Sequence, residues 1–288
     1  MRDDREVRML FRYLVLVSFF LWFACYASLL PKPALAEEPV DLELVLAVDV
    51  SRSMDIREQL LQRRGYVEAF KSKEVIDAIT QGGYGQITAL YMEWAGTGVA
   101  NVIVPWTLIK DKESAYRFAD LLGQQTPHRL SRTSISNAVN FASAQFGQSP
   151  WKGLRRVIDV SGDGPNNQGA PIVDARDQAV QNGIIINGLP LMIRNNSFGF
   201  GVDNLDSYYF DCVTGGTGSF VLPVYAWEEF PQAVRRKLVL EITQNENDLR
   251  PIPISSHYDA FDDPNREKVD CLVGEKQWEQ RMRDLEWR

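Results

Sequence analysis

The chain is short of the side chains that most often build soft-metal and nucleophilic sites. It has three cysteines, Cys25, Cys212 and Cys271, and two histidines, His128 and His257. None stands at the paired spacing of a zinc module, which leaves no structural zinc domain to expect. A nucleophile elbow is missing too, because Val160-Ser161-Gly162-Asp163-Gly164 sets its serine one place out of the G-x-S-x-G pattern. Positive charge is scarce: 31 basic residues stand against 38 acidic ones, for a net charge of −7. No basic stripe interrupts that balance, so nucleic acid is not an expected partner. There is no internal repeat and no low-complexity tract.

What is present begins with an apolar run at the start. Arg2, Arg5, Arg8 and Arg12 precede Leu14–Ala24, which carries no charge, and Ala34-Leu35-Ala36 follows. A basic region, an apolar stretch and an Ala-x-Ala exit read as a secretory signal peptide, residues 1–36, cleaved after Ala36. The alternative is an uncleaved anchor, for which the run is near the lower length limit. Trp22 and Phe23 are too bulky before Cys25 for a lipoprotein signal. The segment carries five basic and three acidic residues, so the 252 residues after it carry −9. The expectation is a secreted or periplasmic protein with no membrane span after cleavage. Export makes oxidation available, so Cys212 and Cys271 are expected to form a disulfide rather than stay as buried thiols.

The stretch Leu44-Val45-Leu46-Ala47-Val48-Asp49-Val50-Ser51-Arg52-Ser53-Met54-Asp55 organises the rest. A run long enough for one buried strand ends at Asp49, and hydroxyls follow at Ser51 and Ser53. Three oxygen side chains at alternate positions, with no Cys or His nearby, suit a hard cation such as Mg²⁺. A strand followed by a helix cap is the competing reading, since Asp and Ser also cap helices.

Downstream, apolar alternation and 3.6-residue periodicity take turns. Strands are expected at 86–94, 101–106 (which Pro105 places at an edge or ends), 155–161, 184–191 and 219–224. Helices are expected at 56–70, 73–80, 111–123, from Arg132–Ser134 to Phe146, and then at 171–182, 204–213, 227–242 and 276–287. Together these predict an α/β fold: a doubly wound, mostly parallel six-stranded sheet, one antiparallel edge strand, and helices on both faces. The domain would run over 37–243, with a tail over 244–288 tied back by the Cys212–Cys271 bridge.

Loops after parallel strands converge on one sheet edge. Such loops carry Asp49, Ser51 and Ser53, then Thr133, then Asp163. This series resembles the metal-ion-dependent adhesion site (MIDAS) of a von Willebrand factor A (VWA) domain over about residues 41–243. Val160-Ser161-Gly162-Asp163-Gly164-Pro165-Asn166-Asn167 is similar to a phrase of uncharacterised secreted bacterial proteins of that fold. The resemblance implies that Ser51 and Ser53 bind Mg²⁺ or Mn²⁺ directly, that Thr133 binds directly or through water, and that Asp49 and Asp163 hold metal-bound waters. It implies a protein partner whose acidic side chain completes the coordination. The pattern departs at Arg132, where a glycine commonly precedes the threonine, and at Gly162, where a Thr or Ser is common. Ser134 and Ser136 therefore compete with Thr133, and Asp55 is expected to be a first-turn helix residue. His128 is expected to be exposed rather than a base, so the reading is a binding module. A secreted hydrolase using the same cation is the alternative.

Overall fold

The computed structural model describes residues 38–126, 128–193, 202–243 and 266–286. The expected leader, His257 and the proline-bearing part of the tail lie outside the described residues. Strand β1 (Glu38–Asp49) is the axis of the fold. Its apolar run is buried on both faces, as a central parallel strand requires. Strand β2 (Ile87–Trp94) pairs parallel on one side, and β4 (Trp151–Gly162) pairs parallel on the other. Outside β2 lies antiparallel β3 (Ala100–Ile109), and outside β4 lies parallel β5 (Ile184–Pro190). The order is β3-β2-β1-β4-β5.

Side-chain alternation along β1 feeds two cores. Leu42, Leu44, Leu46 and Val48 pack with Tyr66 and Phe70 of α1 (Ile56–Lys71). The same core takes Val75 of α2 (Lys73–Thr80), Phe118 of α3 (Lys112–Gly123), and Phe230 and Leu238 of α6 (Phe230–Thr243). Val45 and Ala47 point the other way. They join Ile135 and Val139 of α4 (Ile135–Gln145), Ile172 of α5 (Ile172–Gln181), and Tyr208. A short helical turn, Leu205–Tyr208, continues into a π-helical turn, Tyr209–Val213, where a single helix was expected. Helix α7 (Val273–Glu286) closes the described chain.

The sheet has five strands, not the expected six. Segment 219–224 does run beside β5, but only as isolated bridges, Gly188 with Val221 and Leu191 with Val224. Gly188 exchanges bonds with Phe220 and Leu222, and Val224 N–H donates to Pro190 O at 3.0 Å. Pro190 has no N–H to return, so the ladder breaks there. Strand β3 bears out the edge placement of Pro105 but is longer than expected: it runs past Pro105, where the pairing shifts register between Ala89 and Met92. An edge position with a bulge tolerates a residue that cannot donate.

Candidate metal site

The strand order reverses at β1, since β2 lies on one side and β4 on the other. The crevice beyond the carboxyl ends of β1 and β4 is therefore the switch point where open α/β sheets bind ligands. Three loops meet there.

The first loop begins at Asp49, which is fully buried. Its Oδ1 accepts the Ser51 N–H at 2.7 Å, a local turn closed by the side chain. That turn aims the two serines along one line. Ser51 Oγ lies 2.7 Å from Ser53 Oγ, and Ser53 Oγ donates to Asp163 Oδ1 at 2.6 Å. Asp163 follows β4 directly. Asp55, expected in the first turn of the helix, is its cap: it accepts the N–H groups of Arg57 and Glu58 at 2.7 and 2.9 Å, and Glu58 returns the bond to Asp55 N–H. The capping requirement of α1 is thus met without Ser51 or Ser53.

Asp49 Oδ2 is buried and has no hydrogen-bond partner. Burial, and then the charge of Asp163, push the Asp49 carboxyl well above the usual carboxylate range, while hydrogen bonds from Ser51 and Asp163 oppose the rise. An orphaned carboxylate oxygen beside two hydroxyls and a second carboxylate calls for a cation or a proton. Neighbouring oxygens on an octahedral ion with bonds of about 2.1 Å lie about 3.0 Å apart. The Ser51–Ser53 spacing of 2.7 Å is close to such an edge, and Asp163 holds Ser53 through a hydrogen bond of 2.6 Å. The donor set fits a hard cation. Among the described residues no three His, Cys, Asp or Glu side chains gather into a metal cluster.

The second loop lies against the first. Leu130 N–H donates to Val50 O at 3.0 Å, and Arg129 reaches Met54 O and Arg52 O at 3.2 and 3.0 Å. Thr133 is 6% exposed and is fixed through its backbone: its N–H donates to Asn167 Oδ1 at 3.1 Å, and Asn167 N–H donates to Thr133 O at 2.9 Å. The hydrogen-bonded chain that joins the other four site residues does not include the Thr133 side chain. Ser134 is the cap of α4, and Ser136 Oγ donates to Asn166 Oδ1 at 3.3 Å. Both competitors of Thr133 are thus engaged in holding loops. Arg132 has φ +71°, the left-handed region that glycine enters most easily. The backbone shape expected of the missing glycine is retained by an arginine.

Gly162 has its own cause. A Cβ there would fall 2.9 Å from Tyr209 Oη and 3.1 Å from Asp49 Oδ2. The space that a Thr or Ser would take is filled by Tyr209, from the π-helical turn.

Sequence reasoning missed several neighbours. Asn166, fully buried, accepts the Ser136 N–H at 3.1 Å and gives its own N–H to Tyr208 Oη at 3.1 Å. Asn166 and Asn167 together staple the third loop to the second; the only signal was the Asn-Asn pair itself. Glu93, opposite Val48 in the sheet, forms a buried ion pair with Arg63. The His128 Nδ1 lies 3.0 Å from the other Glu93 oxygen, with the ring largely exposed. The expected disulfide between Cys212 and Cys271 is present.

A model of a family described as "Protein of unknown function (DUF1194)" matches residues 39–246. No curated protein matches the chain. Among solved structures, the fold is similar to proximal thread matrix protein 1 from the mussel byssus, at 15% identity and TM-score 0.53, over 72% of this chain and 50% of that one. That structure has a zinc-occupied MIDAS motif. A von Willebrand factor type A protein from Catenulispora acidiphila is similar at 16% identity and TM-score 0.50, over 70% and 43%. The pilus adhesin SpaC of Lactobacillus rhamnosus GG is similar at 12% identity and TM-score 0.51, over 72% and 31%. The chain spans half or less of the length of these proteins, and the likeness is one of fold: a doubly wound sheet of VWA type.

Proposed function

The chain belongs to the DUF1194 family, whose description gives no function, and from its fold and site we propose that it is a secreted, cation-dependent binding module of VWA type. The observation that carries this reading is the Ser51–Ser53–Asp163 chain beside the orphaned Asp49 Oδ2. Ser51 and Ser53 would hold Mg²⁺ or Mn²⁺ through their hydroxyls, Thr133 directly or through water, and Asp49 and Asp163 through bound waters. Neutral hydroxyls leave the ion electron-poor, so an open position on it attracts a carboxylate from a protein partner. The zinc-occupied MIDAS motif of the mussel protein supports cation binding at this place in the fold. The Cys212–Cys271 bridge supports an oxidising compartment, in keeping with the leader read over 1–36.

The test is thermal unfolding of the protein with Mg²⁺ or Mn²⁺ against chelator. Either ion raises the melting temperature of the natural sequence, and Asp49→Ala abolishes the rise. A natural sequence whose melting does not respond to either ion sinks the reading.

A further inference from the structure

The C-terminal helix sits on the outside of the second and third site loops. The fit at its first turn is close: a Cβ at Gly274 would fall 2.1 Å from Asn166 O and 3.0 Å from Pro165 Cγ. One residue on, Glu275 Oε1 accepts the Asn166 amide N–H at 2.7 Å. One turn further, the Trp278 ring lies under the Arg132 guanidinium, 4.3 Å from ring centroid to Cζ. Helix α7 thus touches Arg132, beside Thr133, and Asn166, three residues after Asp163. Both are positions where the loops depart from regular structure: Arg132 holds a left-handed φ, and Asn166 is the buried hub that joins the loops.

The helix is anchored at one place. Arg266 makes two bonds to the Asp211 carboxylate, at 3.0 and 2.5 Å, and Val269 N–H donates to Asp211 Oδ2 at 2.9 Å. Cys271, two residues before α7, is bonded to Cys212. The anchor lies in the π-helical turn that also carries Tyr209, whose hydroxyl fills the space at Gly162. Turns of this type cluster at functional sites.

We propose that α7 is a positioning element of the cation site, resting on the reading above: Glu275 and Trp278 clamp the third and second loops, and the Cys212–Cys271 bridge keeps the clamp in place. Neither residue touches the cation. Each acts through Asn166 or Arg132, and reduction of the bridge releases the clamp and weakens cation binding.

The test uses the full chain, with its bridge intact in every arm but one. Without metal, hydrogen exchange of the amides at 131–136 and 163–168 speeds up at least tenfold in Trp278→Ala and Glu275→Ala, while amides of β1 and α1 keep their protection. Trp278→Phe, which keeps a ring under Arg132, restores slow exchange. With metal, calorimetric titration with Mn²⁺ gives a Kd at least tenfold weaker in both alanine variants and in the natural sequence under reductant. A helix that only adds stability would lower the melting temperature and leave both the loop exchange and the Kd alone. Unchanged loop exchange, or a Kd within twofold in variants that keep β1 protection, overturns the proposal. A natural sequence that takes up no Mn²⁺ overturns the cation reading and the affinity claim with it, and the exchange measurement still decides whether α7 orders the loops.

Discussion

Under the site, one buried ammonium serves two carboxylates. Lys237 Nζ lies 2.7 Å from Asp159 Oδ1 and 2.5 Å from Glu241 Oε1, and all three side chains are at most 1% exposed. Asn187 Nδ2 adds a bond to the same Glu241 oxygen at 3.0 Å, and Arg155 caps the Glu241 and Ile242 carbonyls. Tyr66 of α1 also faces the group. Burial pushes the Asp159 carboxyl up to about 7, against the pull of Lys237 and with the push of Glu241. The folded chain therefore binds a proton that the unfolded chain, at 3.8, releases. Stability from this group is full below about pH 4 and is lost as the pH rises through about 7, a difference of about 3 pH units or about 4 kcal/mol. Lys237→Met removes the shared ammonium. At pH 8 Asp159, ionised beside Lys237, must then stay charged in the core or take up a proton, at a cost of about 3–5 kcal/mol. For a domain of this size the melting temperature falls about 6–20 °C. At pH 5 Asp159 is already protonated, only the bond to Glu241 is lost, and the fall is about half as large. Thermal melts at the two pH values, with the bridge intact, make the comparison. A fall of under about 3 °C at pH 8, or equal falls at both, refutes the assignment of Lys237 as the shared counter-ion.

Gly162→Thr restores the hydroxyl common at that place but drives its Cβ against Tyr209 Oη, so it lowers stability by about 1–3 kcal/mol. Adding Tyr209→Phe recovers most of the loss in urea unfolding, since the Tyr209 hydroxyl is buried without a partner; no recovery means that Gly162 is kept for another reason. Asp55→Ala removes the α1 cap and costs about 0.5–2 kcal/mol, yet leaves the Mg²⁺-induced rise in melting temperature intact. A lost rise would show that Asp55 serves the cation site as well as the cap.

The parts of the fold that were legible in the sequence are those written at short range. Strand β1 announces itself because a strand buried on both faces is apolar along its central run, and Leu44–Val48 is. Asp49, Ser51 and Ser53 are legible because a two-residue period puts three oxygens on one side of a chain leaving a strand. The sixth strand was misread because Ser219–Val224 has the composition of a strand, while the obstacle lies on its neighbour: Pro190 cannot supply the N–H that the ladder needs. Within the segment only Pro223 hints at a weak or edge strand; the break itself is set by Pro190.

The same distinction separates the site from its supports. Arg132 and Gly162 look like defects when each is compared with a pattern one position at a time. In the folded chain each is compensated by a residue far away in sequence, Arg132 by Trp278 and Gly162 by Tyr209. Both compensating residues belong to the two segments that Cys212 and Cys271 join. Two departures from one motif, each answered from the same bridged pair of segments, make the bridge part of the design of the site. If the departures were independent drift, Trp278→Ala would leave loop exchange unchanged with Arg132 in place; coupling through Arg132 predicts faster exchange there and no further gain from Trp278→Ala in an Arg132→Gly background. Coupling through the helix predicts the opposite for Glu275→Ala, whose effect on the second loop passes through Asn166 and Ser136 and so survives in an Arg132→Gly background.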